Sequence, residues 1–504
     1  MMEKSYLEHM ESITSEALYR GLLGYGLFGE KLPPIFSSFD FYQWCIEHPN
    51  LLSNSKRTEY IYYESIRNVN IPRQLGLPEP FSYACLCKVL SEYWDGELQS
   101  YFRLKTENHN YKISRVHIRK LKNSDAIFEM NYKKESEDGD PIRRLSIGKK
   151  YVVKSDIKSC YPSIYSHALS WALVGKEEGK RNSRDDSLWF NKIDERVRNV
   201  KCGETNGILI GPHTSNILSE IILVSVDDNL YRAGYKFIRN IDDYYCVTET
   251  YEEAESFIKD LVSELKSYNL SVNQSKTMIL NLPLASESEW VHVLGVPPIV
   301  GRFGVVEIQS VKAYLGQALQ AMQNHNGDAA PIKYAIKVLK SLNVSTKAKD
   351  YIVDTILHWA IIYPYLVPLL HEFIFDCYEV PLDFIREFIS ILYKDSIIRR
   401  NYEGVAYALF FSIKYNIEIE SFDRDNLLRG DSICKLLSFL YCKKFSHHDA
   451  LNILKEHAQR LLEFNFNENW IFVYEILNRE ELRGRGLWSN LKNQGISFIK
   501  SEYR

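Results

Sequence analysis

The stretch KFIRNIDDYYCV, residues 236–247, sets two adjacent aspartates, Asp242 and Asp243, between two β-prone segments. Like charges side by side in a half-buried hairpin repel and lose hydration, at a cost of roughly several kcal/mol unless something cationic sits with them. Such a chain must either leave the pair at a polar two-residue turn or gather counter-charge around it. The other two Asp-Asp pairs read differently. Asp185-Asp186 lies in the charged run KRNSRDDSL, a solvated loop, and Asp227-Asp228 follows ILSEIILVSV and is expected to end or continue an exposed helical turn.

Upstream, YVVKSDIKSCYPSIYSHAL begins β-prone at Tyr151–Lys154, reaches Asp156, and opens a helix near Tyr161-Pro162. An acid at a strand end with an aromatic five residues on suits a metal-bound nucleotide. Asp156 and the Ile157 carbonyl would hold divalent cations, Mg2+ or Mn2+, and Asp242 would complete the cage. Two hard cations roughly 4 Å apart need several carboxylate oxygens, which makes buried adjacent acids tolerable. Tyr161 would lie under the sugar of an incoming nucleotide. The bland alternative has Asp156 capping the helix and Tyr161 in the core. Between these segments, NGILIGPHTSNILSEIIL places Gly207, Gly211 and Pro212 before an apolar helix, where backbone approaches a nucleotide or template closely. Downstream, LKSYNLSVNQSKTMIL supplies Lys276, able to neutralise or protonate a departing pyrophosphate. HVLGVPP (Val293, Leu294, Gly295) reads as a tight hairpin.

Length bounds the rest. At 504 residues the chain accommodates two or three domains, and 45% hydrophobic with 25% charged residues is ordinary globular composition. A net charge of -3 is unlike a protein that grips long duplexes by phosphate neutralisation alone. Nine scattered cysteines without a CxxC pair argue against zinc and for reduced, buried thiols in a cytoplasm. No apolar run approaches the roughly 20 residues of a membrane span, and the N-terminus is polar, so a soluble cytoplasmic protein with no membrane partner is expected. Residues 1–100 read as helical with part of a nucleotide-covering module, 101–300 as mixed strands and helices, 301–330 as a linker around NHNGDAAP, and 331–504 as successive helices with short loops. That last pattern implies an antiparallel array of α-hairpins without a strict repeat.

In order and spacing, Asp156 with Tyr161, the Gly-x-x-x-Gly-Pro loop, Asp242-Asp243, Asn273-x-x-Lys276-Thr277 and the Leu-Gly step resemble motifs A to E of the reverse-transcriptase palm, over residues 145–300. The resemblance implies an α+β fold with palm and fingers followed by an all-α, HEAT-like repeat domain. It implies a nucleotidyltransferase in which Asp156, Ile157, Asp242 and Asp243 bind metal, Tyr161 is the steric gate that makes the product DNA, and Lys276 serves the leaving group. Gly211 and Pro212 would lie against nucleotide. Two positions depart from the pattern: Asn240 stands where an aromatic is usual, and Ile210 where a glutamine is usual before the glycine. Both positions usually touch primer, nucleotide or template, so ordinary templated copying is put in doubt.

Residues 70–90 and the helical C-terminal half resemble the bacterial abortive-infection (Abi) reverse transcriptases. That family implies phage defence, untemplated single-stranded DNA synthesis from dNTPs, priming on a protein hydroxyl that stays covalently attached, and homo-oligomers. Tyr25 in GLLGYGLFGEKLPP is the priming candidate by a short match, with Tyr60, Tyr62 and Tyr63 as rivals. In YKISRVHIRKLK, alternation puts Arg115, His117 and Arg119 on one strand face suited to phosphates, or to solvent. Arg483 and Arg485 in ELRGRGLW are a further candidate track for a single strand. A templated polymerase of retron or intron type, and a non-enzymatic palm scaffold for a helical partner-binding array, are the alternatives.

Overall fold

A computed structural model describes residues 5–29, 32–52, 56–66, 72–115, 141–284, 289–301, 304–325, 327–420 and 422–504. The sheet that carries the site has four antiparallel strands: β3 (Tyr151–Asp156), β4 (Lys236–Asn240), β5 (Asp243–Thr248) and β6 (Met278–Asn281), in the order β4-β5-β3-β6. Two helices back it. The helix Tyr251–Ser267 starts at an N-cap Thr250, whose side chain accepts from the Glu253 N–H, and buries Ala254, Phe257, Leu261 and Leu265 on one stripe. Phe257 packs on Phe237 of β4, which stacks on Tyr244 of β5. The helix Thr214–Arg232 is buried on every face from Thr214 to Asp228. It is the axis of the core, not an amphipathic surface helix.

β1 (Ile61–Ile66) and β2 (Pro72–Leu77) pair antiparallel as a separate two-stranded sheet. Its alternation buries Ile61, Tyr63 and Ser65. The Gly76 N–H donates to the Ile210 carbonyl at 3.0 Å, tying β2 to the glycine loop. Residues 1–100, expected as helical, thus contain this hairpin among their helices.

Beyond the sheet the chain is helical: Ile308–Asn324, Ala330–Lys340, Thr346–Ile362, Leu382–Arg399, Tyr402–Tyr415, Ser432–Lys444, His448–Phe464 and Trp470–Ile476. Consecutive members pack as neighbours, Leu382–Arg399 on Tyr402–Tyr415 and that helix on Ser432–Lys444. Of the expected linker 301–330, most is the first of these helices, with a short turn before Ala330. The HVLGVPP stretch is not a hairpin. Glu289–Leu294 is a helix that ends at Gly295, because its apolar residues find packing against the helix Ile308–Asn324 rather than a strand partner.

The helical half turns back onto the hairpin. Glu403 accepts from the Ser65 hydroxyl at 2.8 Å and from the Ile66 N–H at 2.7 Å. Residues 498–500 pair antiparallel with 35–37: Ser37 N–H donates to the Phe498 carbonyl and Lys500 N–H to that of Ile35. The Phe498 ring seats among Phe28, Phe41, Trp470 and Tyr474. No helix among the described residues is long and apolar enough to cross a membrane.

Candidate active site

Asp156 is the last residue of β3, where Asp243 is its ladder partner. Asp242 occupies the β4–β5 turn, and its carbonyl accepts from the Ile157 N–H at 3.1 Å. The strand end and the turn are thereby held edge to edge. Burial first, and then the charge of Asp156, push the Asp242 carboxyl up from its ordinary value, while Lys276 and Arg73 pull it down. Asp156 itself is buried and accepts from Asn273 Nδ2 at 2.9 Å and from Lys276 Nζ at 3.2 Å. The Asn273 N–H also donates to the Asp156 carbonyl at 2.6 Å. The Lys276 side chain is 63% exposed, so its ammonium pairs with Asp156 from the solvent side.

Two interacting carboxylates beside a backbone carbonyl are hard oxygen donors, and the mutual repulsion felt by Asp242 is what a divalent cation relieves. The donor set fits such an ion, although among the described residues no group of three or more His, Cys, Asp and Glu side chains is gathered in a way that holds one. Asp243 is the ladder partner of both Asp156 and Asn240.

Tyr161 stands at the start of the short helix Cys160–Ser163, entered through a left-handed Ser159 at φ 48°. Its hydroxyl donates to Asn216 Oδ1 at 2.7 Å, fixing the ring against the helix Thr214–Arg232. Gly207, at φ 79°, lies so close that a Cβ there would sit 2.8 Å from the Pro162 carbonyl oxygen. The Gly211-Pro212 loop abuts both Gly76 and Gly29. Tyr25 follows the turn Arg20–Gly24 and packs half-buried on the Phe39 ring. Its neighbour Gly26 accepts from the His213 N–H at 2.9 Å, and a Cβ on Gly26 would collide with the His213 side chain at 2.7 Å. The Tyr25 loop is therefore seated against the glycine loop that opens the core helix. Tyr63, one rival, is buried in the hairpin, whereas Tyr62 is exposed.

Other expectations change. Asp227 and Asp228 are 2% and 4% exposed, not an exposed turn. Asp227 pairs with Arg239, and Asp228 with Arg232. Arg115 is buried, not on a solvated strand face, and its N–H donates to the Arg239 carbonyl. His117 and Arg119 lie outside the described residues. Arg485 donates to the Leu462 carbonyl and covers the Phe466 ring, a structural role rather than a track for a strand. The basic group the sequence reading missed is Arg73 on β2, whose charge reaches Asp242. Only the pairing of β1 with β2 brings it there, and that hairpin carries a period-two pattern in IYYESI.

An acid pair at a strand end and a hairpin turn, with the Lys276 ammonium paired to Asp156 and the charge of Arg73 reaching Asp242, is an arrangement suited to nucleotidyl transfer. Residues 94–298, about two-fifths of the chain, match the family model for reverse transcriptase (RNA-dependent DNA polymerase), so this segment is similar to a polymerase domain of that type. No curated protein matches the chain. Among solved structures, apo telomerase from Candida tropicalis is similar over 86% of this chain and 72% of that one, at 13% identity and a TM-score of 0.32. The same telomerase truncated from its C-terminal domain is 18% identical over 47% of this chain, at a TM-score of 0.29, and the chain spans about half (52%) of its length. Candida albicans telomerase in complex with a fragment of telomeric RNA is 13% identical over 83% of this chain and 69% of that one, at a TM-score of 0.27.

Proposed function

We propose that the chain is a DNA polymerase that joins dNTPs without a template, primed on its own tyrosine, as in abortive-infection reverse transcriptases acting in phage defence. The observation that carries the chemistry is the Asp156–Asp242 pair held by the Ile157–Asp242 backbone bond. Divalent ions bound there, Mg2+ or Mn2+, would supply charge stabilisation for in-line phosphoryl transfer. The chain's own residues do the rest. Tyr161, braced by Asn216, excludes a 2′-hydroxyl and selects deoxynucleotides. In the first addition the Tyr25 phenol gives its proton to water as its oxygen attacks the α-phosphorus; the new P–O bond forms, the bond from the α-phosphorus to the bridging oxygen breaks, and pyrophosphate leaves. Lys276 neutralises or protonates that leaving group. Seating of the Tyr25 loop on His213 and Gly211 supports this priming role. The product would be single-stranded DNA covalently attached to the protein, the helical half would be a HEAT-like array, and the protein would be a cytoplasmic homo-oligomer.

One observation favours a second reading. The matching family model is that of RNA-dependent DNA polymerases, which favours templated copying as in retron or intron enzymes. Incubation with Mg2+ and labelled dNTPs, without template or primer, separates the two on a denaturing gel run with and without protease. Label that migrates with the protein and is released by protease is the expected result. No label without RNA, but faithful copying once RNA is added, moves the function to the templated class. Asp242→Asn is expected to lower incorporation at least 1,000-fold with the melting temperature within a few degrees of wild type, the loss of one metal-binding carboxylate. Retained activity would remove Asp242 from the site.

A further inference from the structure

Arg239 is 0% exposed, three residues before Asp242, and all five of its guanidinium N–H donors are used. Nε donates to Asp227 at 2.9 and 3.1 Å, and Nη2 to Asp227 Oδ2 at 2.7 Å and Glu220 Oε2 at 3.2 Å. Nη1 donates to Glu220 Oε1 at 2.7 Å and to the Ile241 carbonyl at 2.8 Å. Ile241 sits at φ 58°, a left-handed conformation that a β-branched residue rarely adopts. The guanidinium thus grips the strained residue whose C-terminal neighbour is Asp242. The network runs outward as well. Tyr6, from the helix Tyr6–Glu11, donates to Glu220 at 2.9 Å, as does Ser114 at 3.1 Å. Arg239 also exchanges backbone hydrogen bonds with Ile113 and Arg115.

We infer that Arg239 is a positioning residue, which fixes the Asp242 carboxylate against Asp156 by clamping the Ile241 carbonyl between two carboxylates of the core helix. Through Tyr6 and Glu220, the clamp also makes metal affinity at the hairpin depend on how the N-terminal helix is seated. This rests on reading Asp156 and Asp242 as the metal-binding pair. Lysine carries the charge but lacks the five-donor fork, so Arg239→Lys cannot hold both carboxylates and the carbonyl together. Tyr6→Phe removes one hydrogen bond at the far end of the network and leaves the site untouched.

The test is Mn2+ titration of the full chain followed by the electron paramagnetic resonance signal of free Mn2+, with melting temperature and steady-state kinetics alongside. Arg239→Lys is expected to weaken Mn2+ binding by about tenfold, the usual range for losing an outer-shell partner. The turnover number should fall while KM for dNTP moves less than about twofold. A loss of folded protein would lower the number of Mn2+ sites but leave their affinity unchanged, so the weakened affinity is the distinguishing readout. Tyr6→Phe should weaken Mn2+ binding by about twofold to threefold, and it carries the test if Arg239→Lys does not fold. Wild-type Mn2+ affinity in both folded variants overturns the inference. Wild-type Mn2+ affinity in Asp242→Asn instead overturns the metal-pair reading, and the inference with it.

Discussion

Asp242 is half-buried beside a second carboxylate, and Glu79 is fully buried at a helix start; both carboxyls are raised from their ordinary values. Glu79 caps the helix Pro80–Glu92, accepting from the Ser82 N–H at 2.7 Å, and burial raises it to about 7 against the hydrogen bonds from Ser82 and Phe81. A carboxyl whose folded value exceeds its unfolded one favours the protonated state. It therefore costs nothing below the unfolded value, and its penalty grows as pH rises from about 4.5 through 7, to roughly 3 kcal/mol at most. Glu79→Gln keeps an oxygen for the Ser82 N–H. It should match wild type in melting temperature at pH 5 and exceed it at pH 8; equal curves at both would place Glu79 in a wetter environment. At this scale spacing in the sequence pointed to Asp156 and Asp242, which the fold brings together at one strand end. Asp227 was misread because Arg239, its counter-ion, sits on a strand 12 residues on and is invisible to periodicity. A signal existed: ILSEIILVSV is apolar on all faces, so an acid directly after it on the same helix shares its burial. Breaking that buried pair from one side is expected to cost about 3–5 kcal/mol, which is why Arg239 tolerates only conservative tests.

Among elements, the loop that leads from the helix Trp189–Asn199 into the core helix depends on Gly207. At φ 79° an alanine is strained, and its Cβ would meet the Pro162 carbonyl. Gly207→Ala should lower stability by about 1–2 kcal/mol. Because Ile208 N–H donates to the Tyr161 carbonyl, the substitution also displaces the Tyr161 ring, so KM for dNTP should rise in the same protein if that ring is the proposed gate. An unchanged KM with lowered stability would separate the turn from nucleotide binding. Element type was legible for the long C-terminal helices, since EGVAYALFFSIKY and DALNILKEHAQRLLEF carry clear helical patterns and reappear as Tyr402–Tyr415 and His448–Phe464. Short elements were not. β1 and β2 were absorbed into a helical reading because six residues with a period of two are easily lost between proline-rich turns. EWVHVL became a helix where a Leu-Gly step had implied a hairpin.

Across the whole molecule, the helical half and the β1–β2 hairpin share a seam at Glu403, which accepts from both Ser65 and Ile66. Glu403→Ala leaves the Ile66 N–H without this acceptor, at about 1–3 kcal/mol. Limited proteolysis should then cut the hairpin faster, and incorporation should fall because β2, with Arg73, hangs from that seam. Identical cleavage rates would mean that the packing of β1 and the Gly76–Ile210 bond hold the hairpin without Glu403. No sequence pattern announces such a seam, because the partners lie 338 residues apart. The pairing of 498–500 with 35–37 spans still more of the chain: Lys500 Nζ reaches the Pro34 carbonyl across 466 residues, and Arg504 reaches Asp40 across 464. Contacts of such separation are the slowest to close, since the intervening loop must first be ordered. During translation, the segment beside Tyr25 would therefore emerge from the ribosome hundreds of residues before its covering strand exists. The palm can assemble early, whereas the tyrosine's surroundings mature only after residue 500 is made, so nascent chains would hold that loop in a different setting from finished ones.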